Sequence, residues 1–183
     1  MTFIIVFLFC YTRVMSTDEE ILDLVDENDE VIGTIARSDY GKLVDEKLGY
    51  IREVAMFIQN DEGKFWIPTR SADKQIAPNG LDYSMAGHVG TGESYIEATL
   101  RETREELNLT LKPEDLQLIG KYPPKQIPYF RTLYIYRSNT EPEFNHSDFI
   151  DAEWLSLDEI ASRLNNGTPA KISLIEMVEL LNQ

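Results

Sequence analysis

Three glutamates in the middle of the chain have the residue type and the spacing that metal-dependent chemistry requires. Glu105 and Glu106 stand three and four positions after Glu102, so in a helix their carboxylates would be neighbours of Glu102 on one surface. Each like-charged pair of this kind costs a helix about 0.2–0.5 kcal/mol. A divalent cation removes the repulsion, and carboxylate oxygens are ligands that Mg²⁺ and Mn²⁺ prefer. The pattern therefore predicts a Mg²⁺ or Mn²⁺ site on this segment.

The segment that carries the three glutamates is predicted to be a helix. Ser94 and Glu97 have the spacing of a capping box, in which each side chain bonds a backbone amide at the helix start. The stripe expected to face the core recurs at steps of three and four residues: Ile96, Leu100, Thr103 and Leu107. At about 100° per residue the glutamates fall on the opposite side, so we expect them to lie away from the core.

A glycine-rich segment precedes this helix. Residues 87–92 read Gly-His-Val-Gly-Thr-Gly, and the conformational freedom of glycine allows a tight loop that folds back onto the helix. Arg101 is expected to pair with Glu93 or Glu105 and so to hold the loop against the helix. Asn108 stands just past the helix, where asparagine tolerates the left-handed conformation that ends many helices.

Residues 87–109 together resemble the signature of the Nudix hydrolases. That signature reads Gly, five residues, Glu, seven residues, Arg-Glu, an aliphatic residue, any residue, Glu-Glu, any residue, Gly and an aliphatic residue. The positions that match it are Gly87, Glu93, Arg101, Glu102, Glu105, Glu106 and Leu109. Thr103 stands at the aliphatic position and Asn108 replaces the second glycine. The resemblance implies an α/β fold, the Nudix α/β/α sandwich with a mixed sheet.

The resemblance also implies an activity and assigns roles to residues. The activity is metal-dependent hydrolysis of a diphosphate linkage in a nucleoside diphosphate joined to another moiety. The implied metal ligands are the carboxylates of Glu102, Glu105 and Glu106 and the backbone carbonyl of Ala86. The implied catalytic residues are Glu102 or Glu105 as the general base, with Arg101 and Glu93 in support. In many relatives a base comes from a later loop, where this chain offers Glu141, Glu143 and Asp148.

Outside the signature, the chain resembles the branch of the superfamily that holds the type 1 isopentenyl-diphosphate isomerases. The similarity lies in residues 25–33 and in residues 70–78, where Arg70 and Lys74 are expected either to contact substrate phosphates or to be surface residues. The isomerase needs a cysteine where this chain has Ala86, and it needs histidine ligands before His88, where this chain has none. A hydrolase is therefore favoured. An isomerase-like enzyme and a non-catalytic nucleotide-binding Nudix module are the alternatives.

Composition narrows the possible partners. The chain of 183 residues suits a single domain, expected to span 15–183. A net charge of −15 argues against nucleic acid, which requires a basic face, but not against a small phosphorylated substrate, because a bound cation reverses the local charge. Cys10 is the single cysteine, so an intrachain disulfide is excluded. The sequence leaves open whether the protein is a monomer or a homodimer.

The N-terminus has a different character from the rest of the chain. Residues 3–11 form an apolar run of nine, well short of the roughly 18 residues that span a bilayer. No basic residue precedes the run, and no small-residue cleavage site follows it. Met15 opens a polar stretch typical of a cytosolic start. We therefore expect residues 1–14 to be a disordered or mis-assigned extension, and the protein to be cytoplasmic without a membrane partner.

Periodicity and turn residues predict the remaining elements. The expected strands are 21–25, 31–36, 53–59, 64–68, 83–86, 116–121, 129–137 and 151–155. The expected helices are a short one capped by Ser38 and running towards Lys47, the signature helix, 157–165 and 170–181.

Overall fold

A computed structural model describes residues 19–181, so the expectations for residues 1–14 lie outside the described residues. The strands are β1 Ile21–Val25, β2 Val31–Ala36, β3 Ile51–Gln59, β4 Phe65–Arg70, β5 Met85–His88, β6 Leu116–Tyr122, β7 Tyr129–Arg137 and β8 Phe149–Leu155. The helices are α1 Tyr40–Glu46, α2 Tyr95–Leu107, α3 Leu157–Asn165 and α4 Ile172–Leu181. The predicted bounds of β1, β2, β7 and α3 are confirmed to the residue.

The main sheet is mixed, as predicted. Its six strands follow the order β6-β7-β3-β4-β8, and β5 pairs with β3 off this path. The pair β3–β7 is parallel, whereas β3–β5, β4–β8 and β6–β7 are antiparallel. The central strand β3 is buried continuously from Val54 to Ile58, which is typical of a strand that is covered on both faces.

Helices cover both faces of this sheet. Val54, Met56 and Ile58 face one core, which also contains Ala98 and Leu107 of α2. The alternate residues of β3, Ala55 and Phe57, face a second core. Residues of α3 and α4 complete that second core: Ile160, Leu174, Met177 and Val178. Because successive side chains of a strand point to opposite faces, these two cores establish the predicted α/β/α sandwich.

The hairpin of β3 and β4 is paired only at its closed end. The strands pair at Gln59 and Phe65 and then separate. Ser84 bridges the gap, since its hydroxyl accepts from the Ile58 amide at 2.8 Å and donates to the Trp66 carbonyl at 2.6 Å. The predicted strand at 83–86 is therefore shifted to Met85–His88, where it pairs with β3.

The short first helix was predicted correctly, but its cap was not. A single 3₁₀ turn, Arg37–Asp39, precedes α1, and neither start has a side-chain cap. The hydroxyl of Ser38 donates to the carboxylate of Glu19 instead. Ser38 therefore joins the start of the described chain to this turn rather than capping the helix.

Candidate active site

Helix α2 begins and ends as its sequence predicts, but its buried face is different. Ser94 and Glu97 form the predicted capping box, and Asn108 ends the helix in a left-handed conformation with φ of 52°. The buried residues of α2 are Ala98, Thr99, Glu102, Thr103 and Leu107. The predicted stripe is therefore wrong at Ile96 and Leu100, which are only half-buried.

The expectation that the glutamates lie away from the core is wrong for Glu102. Its side chain lies against Gly87 of β5, where there is no room for a Cβ atom. Helical periodicity assigns Glu102 to the solvent side because it counts hydrophobic residues only. In the structure a glycine leaves space for a carboxylate between helix and strand. Glu105 is 58% exposed, as the sequence predicts.

Arg101 holds the glycine-rich loop against α2. Its Nε and Nη2 donate to the two oxygens of Glu93 at 2.8 and 2.9 Å, and Nη2 also donates to the His88 carbonyl at 2.9 Å. Nη1 donates to Glu102 at 2.7 Å and reaches Glu105 at 3.4 Å. The predicted pairing with Glu93 is thus the main one, and Arg101 contacts Glu105 as well.

Glu106 is the carboxylate of the site whose pKa is raised the most. It accepts a hydrogen bond from the Ala86 amide at 3.2 Å. Burial raises the pKa of Glu106 well above its ordinary value, and the nearby charges of Asp82, Glu102 and Asp148 raise it further, while Lys171 opposes them. A buried carboxylate among like charges favours a bound cation or a bound proton.

Glu102 shares this environment to a lesser degree. Burial is the largest cause and raises the pKa of Glu102. Its ion pair with Arg101 lowers this pKa, and the charges of Glu105 and Glu20 raise it by smaller amounts. Glu102 and Glu106 are four residues apart on one helix, and each raises the energy of the other in its charged form. A divalent cation would relieve both effects.

The residues present fit a hard divalent cation. The carboxylate oxygens of Glu102 and Glu106 are donors of the kind that suits Mg²⁺ or Mn²⁺. Within residues 19–181, no group of three His, Cys, Asp or Glu side chains is gathered in an arrangement that could hold a metal. Glu105 is directed to solvent and to Arg101, so the buried Glu102 and the half-buried Glu106 are the centre of the candidate site.

The structure corrects the interpretation of Arg70. Its side chain is buried, its Nε donates to the Ile76 carbonyl at 2.8 Å, and its Nη1 pairs with Asp82. Arg70 is therefore used to organise its own loop rather than presented to a substrate. Lys74 is more accessible, with 31% of its side chain exposed, and pairs with Asp148.

The later loop is attached to the end of α2. The Asn145 amide donates to the Glu106 carbonyl at 2.7 Å, and the Asn108 side chain donates to the Glu143 carbonyl at 2.9 Å. Glu141 accepts from the indole of Trp154 at 3.0 Å. Of the three expected candidates for a base, Asp148 is the one whose charge acts on Glu106.

Two charged residues near the site were missed by the sequence analysis. Lys171, just before α4, has its Nζ 3.6 Å from Glu53 and 3.8 Å from Asp82. Lys171 and Asp82 both act on Glu106. No local pattern marks either residue, because 89 positions separate them in the chain and only the fold brings them together.

An open acidic depression of about 830 Å³ lies in front of the signature loop and is bounded by Glu20, Glu93, Glu97, Arg101, Glu105 and residues 90–92.

Across residues 19–181, no helix is both long enough and apolar enough to cross a membrane.

Comparisons with known proteins match the part of the chain that contains the candidate site. The profile of the family described as NUDIX domain matches residues 49–177. An uncharacterised Nudix hydrolase of Nostoc sp. is 45% identical over 168 residues, which cover 91% of this chain and 98% of that protein. The crystal structure of a Deinococcus radiodurans protein superposes with a TM-score of 0.78 at 38% identity, covering 87% of this chain and 98% of that chain.

A more distant similarity concerns the branch that residues 25–33 and 70–78 suggested. An isopentenyl-diphosphate Delta-isomerase of Photorhabdus laumondii is 26% identical over 152 residues, which cover 81% of this chain and 84% of that protein.

Proposed function

The chain belongs to the Nudix hydrolase family, whose members hydrolyse phosphoric anhydride bonds and generally need divalent metal ions, and on this premise we propose that it is a Mg²⁺- or Mn²⁺-dependent diphosphatase. The substrate class we propose is a nucleoside diphosphate joined to another moiety. The observation that carries the proposal is the pair Glu102 and Glu106, whose pKa values are both raised by burial.

We assign the metal to Glu102, Glu106 and the carbonyl of Ala86, with Glu105 as a further direct or water-bridged contact. When bound, the cation neutralises the diphosphate oxygens and acidifies the attacking water. The raised pKa of both carboxylates supports this assignment, because their charges are poorly compensated by the protein alone. The contact between the Ala86 amide and Glu106 places that backbone next to the same carboxylate.

Glu105 is the residue we propose as the general base. It is more than half exposed, so water and substrate can reach its carboxylate. Its contact with Arg101 at 3.4 Å is longer than the bonds of Arg101 to Glu93 and Glu102. Glu105 can therefore move towards a substrate while Arg101 and Glu93 keep the loop in place. Asp148 remains the alternative base, because its charge acts on Glu106.

Lys74 is the residue we propose to contact substrate phosphate. Its ion pair with Asp148 is only partly buried, with 31% of the lysine side chain exposed. A substrate phosphate can therefore approach the ammonium group from the solvent side. Arg70 is not proposed for this role, because Asp82 and the Ile76 carbonyl already occupy its guanidinium.

The experiment that tests the proposal is a panel assay with Mg²⁺ or Mn²⁺, in which cleavage of the diphosphate is followed by chromatography of the two phosphorylated products. The panel contains ADP-ribose, nucleotide sugars, dinucleotides, coenzyme A derivatives and oxidised nucleotides. We expect turnover of at least one class, which chelation of the metal abolishes. Binding of these compounds without turnover would instead indicate a non-catalytic module. Light scattering of the same sample answers a separate question, whether the protein is a monomer or a homodimer.

A further inference from the structure

The N-terminal hairpin of β1 and β2 contacts the signature loop directly, although it precedes the segment that the family profile matches. Leu22 forms an antiparallel bridge with Gly90. The Thr91 amide donates to the Ile21 carbonyl at 3.0 Å, and the Gly92 amide lies 3.3 Å from a carboxylate oxygen of Asp23. Every residue from 90 to 92 is therefore in contact with this hairpin.

Asp23 is held in place for this contact. Its side chain is only 7% exposed, and the same oxygen that faces Gly92 lies 3.4 Å from Arg52 Nη1. Gly92 has a φ of +74°, a backbone conformation that residues other than glycine rarely adopt. The buried carboxylate of Asp23 thus faces the amide of Gly92, the loop residue with a positive φ.

The turn of the hairpin is tied to the start of α2. Asp29 is buried there in a left-handed conformation with φ of 63°. Its carboxylate accepts from Arg52 Nε at 2.6 Å and from the hydroxyl of Tyr95, the first residue of α2, at 2.9 Å, and it also pairs with Lys121. The hairpin therefore has a fixed position relative to both the loop and the helix.

A continuous set of hydrogen bonds connects this loop to the candidate metal ligands. The Gly90 amide donates to Glu93 at 2.9 Å, Glu93 accepts two bonds from Arg101, and Arg101 donates to Glu102 at 2.7 Å. A shift of the loop would change the position of Glu93, and Arg101 would transmit that shift to Glu102. Small displacements of reacting groups are costly in catalysis.

We propose that Asp23 is a positioning residue for the hydrolysis reaction: it fixes the loop at Gly92 and so sets the position of Arg101 and Glu102. This role rests on the proposed function. Asp23 does not touch the candidate metal ligands, and its effect passes through the loop. The hairpin is in this respect a part of the active site and not merely an addition to the domain.

The test compares D23A with D23N and with E30A, a control on the same hairpin whose side chain is exposed. We expect D23A to lower kcat about tenfold, to raise the Mg²⁺ concentration for half-maximal activity, and to accelerate hydrogen exchange at the Gly92 amide. D23N retains an oxygen that can accept this bond and should recover most of the loss. E30A should match the wild type in all three measurements.

Two readouts do not depend on turnover, namely exchange at Gly92 and the affinity for Mn²⁺ measured by electron paramagnetic resonance. If the wild-type protein cleaves none of the panel compounds, the proposed function fails, and these two readouts still decide the role of Asp23. A D23A variant with a lower melting temperature but unchanged hydrogen exchange at Gly92, Mn²⁺ affinity and kcat would overturn the proposed role of Asp23. If D23A does not fold, D23S takes its place, because the shorter serine side chain draws back from the Gly92 amide. Wild-type kcat, Mn²⁺ affinity and Gly92 exchange in D23S would then overturn the proposed role.

Discussion

The carboxylate of Glu102 lies so close to the backbone of Gly87 that a Cβ atom on residue 87 would be 2.0 Å from the Cδ atom of Glu102. Glu102 is buried and bonded to Arg101, so its side chain has little freedom to withdraw. The glycine that opens the signature and the first glutamate of the proposed metal site therefore form one packing unit. Either residue can be understood only together with the other.

Gly87→Ala is expected to damage activity more than stability. The new methyl group must displace Glu102, which should reduce kcat about hundredfold and cost about 1–3 kcal/mol of unfolding free energy. Turnover and thermal unfolding measure the two effects. Gly41→Ala is the matched control, because nothing lies within 4 Å of its Cβ position. Equal activity of the two variants would contradict the packing argument.

Glu106→Gln is expected to preserve the fold and to reduce turnover by several orders of magnitude. The amide is close in shape but lacks the charge that binds a cation, and it removes repulsion from Asp82 and Glu102. The measurements are turnover at limiting Mg²⁺ and the rise in melting temperature on adding Mg²⁺, which should be smaller in the variant. Glu114→Gln, at an exposed position, is the control. Full activity of Glu106→Gln would refute the metal assignment.

Asp29 is expected to contribute to acid sensitivity. Burial alone would raise its pKa, but bonds from Lys121, Arg52 and Tyr95 bring it below the ordinary value of 3.8. A lowered pKa stabilises the fold above the ordinary value, and this contribution is lost as the pH falls through the folded-state pKa. Asparagine tolerates the left-handed backbone of residue 29.

The measurement for Asp29 is the melting temperature of the wild type and of Asp29→Asn between pH 6 and the lowest pH at which both fold. We expect the wild type to be more stable at pH 6, and the difference to shrink below the ordinary pKa of 3.8. Glu27→Gln, at an exposed position in the same turn, controls for a general loss of acidic charge. A difference that stays constant with pH would exclude the ionised form of Asp29 as its source.

Isomerisation of isopentenyl diphosphate is expected to be absent. The Ala86 position offers a methyl group where the isomerase that the chain resembles needs a thiol, and a methyl group cannot transfer a proton to or from carbon. Incubation with isopentenyl diphosphate and Mg²⁺, followed by NMR, should show no dimethylallyl diphosphate above background. Formation of that product would reverse the choice between the two activities.

A chain that begins at Met15 is expected to match the full chain in melting temperature and metal-dependent activity, and to be more soluble. Residues 3–11 are an unbroken apolar run, and apolar surface that is left uncovered promotes aggregation. A fall of more than about 5 °C in melting temperature, on the order of 1 kcal/mol or more, would show that the segment packs on the domain. Partition of only the full chain into vesicles would identify a membrane anchor instead.

Much of the fold is local and was predictable. Capping residues, turn residues and alternation of apolar side chains predicted α2, α3, β1, β2 and β7 with few errors, because each of these signals acts within a few residues. The errors lie where distant segments meet. Ser84 fills the gap between β3 and β4, and no pattern around Ser84 shows that two strands 18 residues and more away require its hydroxyl.

Residue types and their spacing identify the chemical groups, namely the carboxylates and glycines of residues 87–109 and the arginine among them. Which of these groups are buried, and which of them share a partner, depends on the tertiary fold. Glu102 is buried because Gly87 makes room for it, Arg70 is occupied by Asp82, and Asp23 reaches the signature loop. Burial and pairing of charges depend on atoms that are distant in the chain, so residue types and spacing cannot specify them.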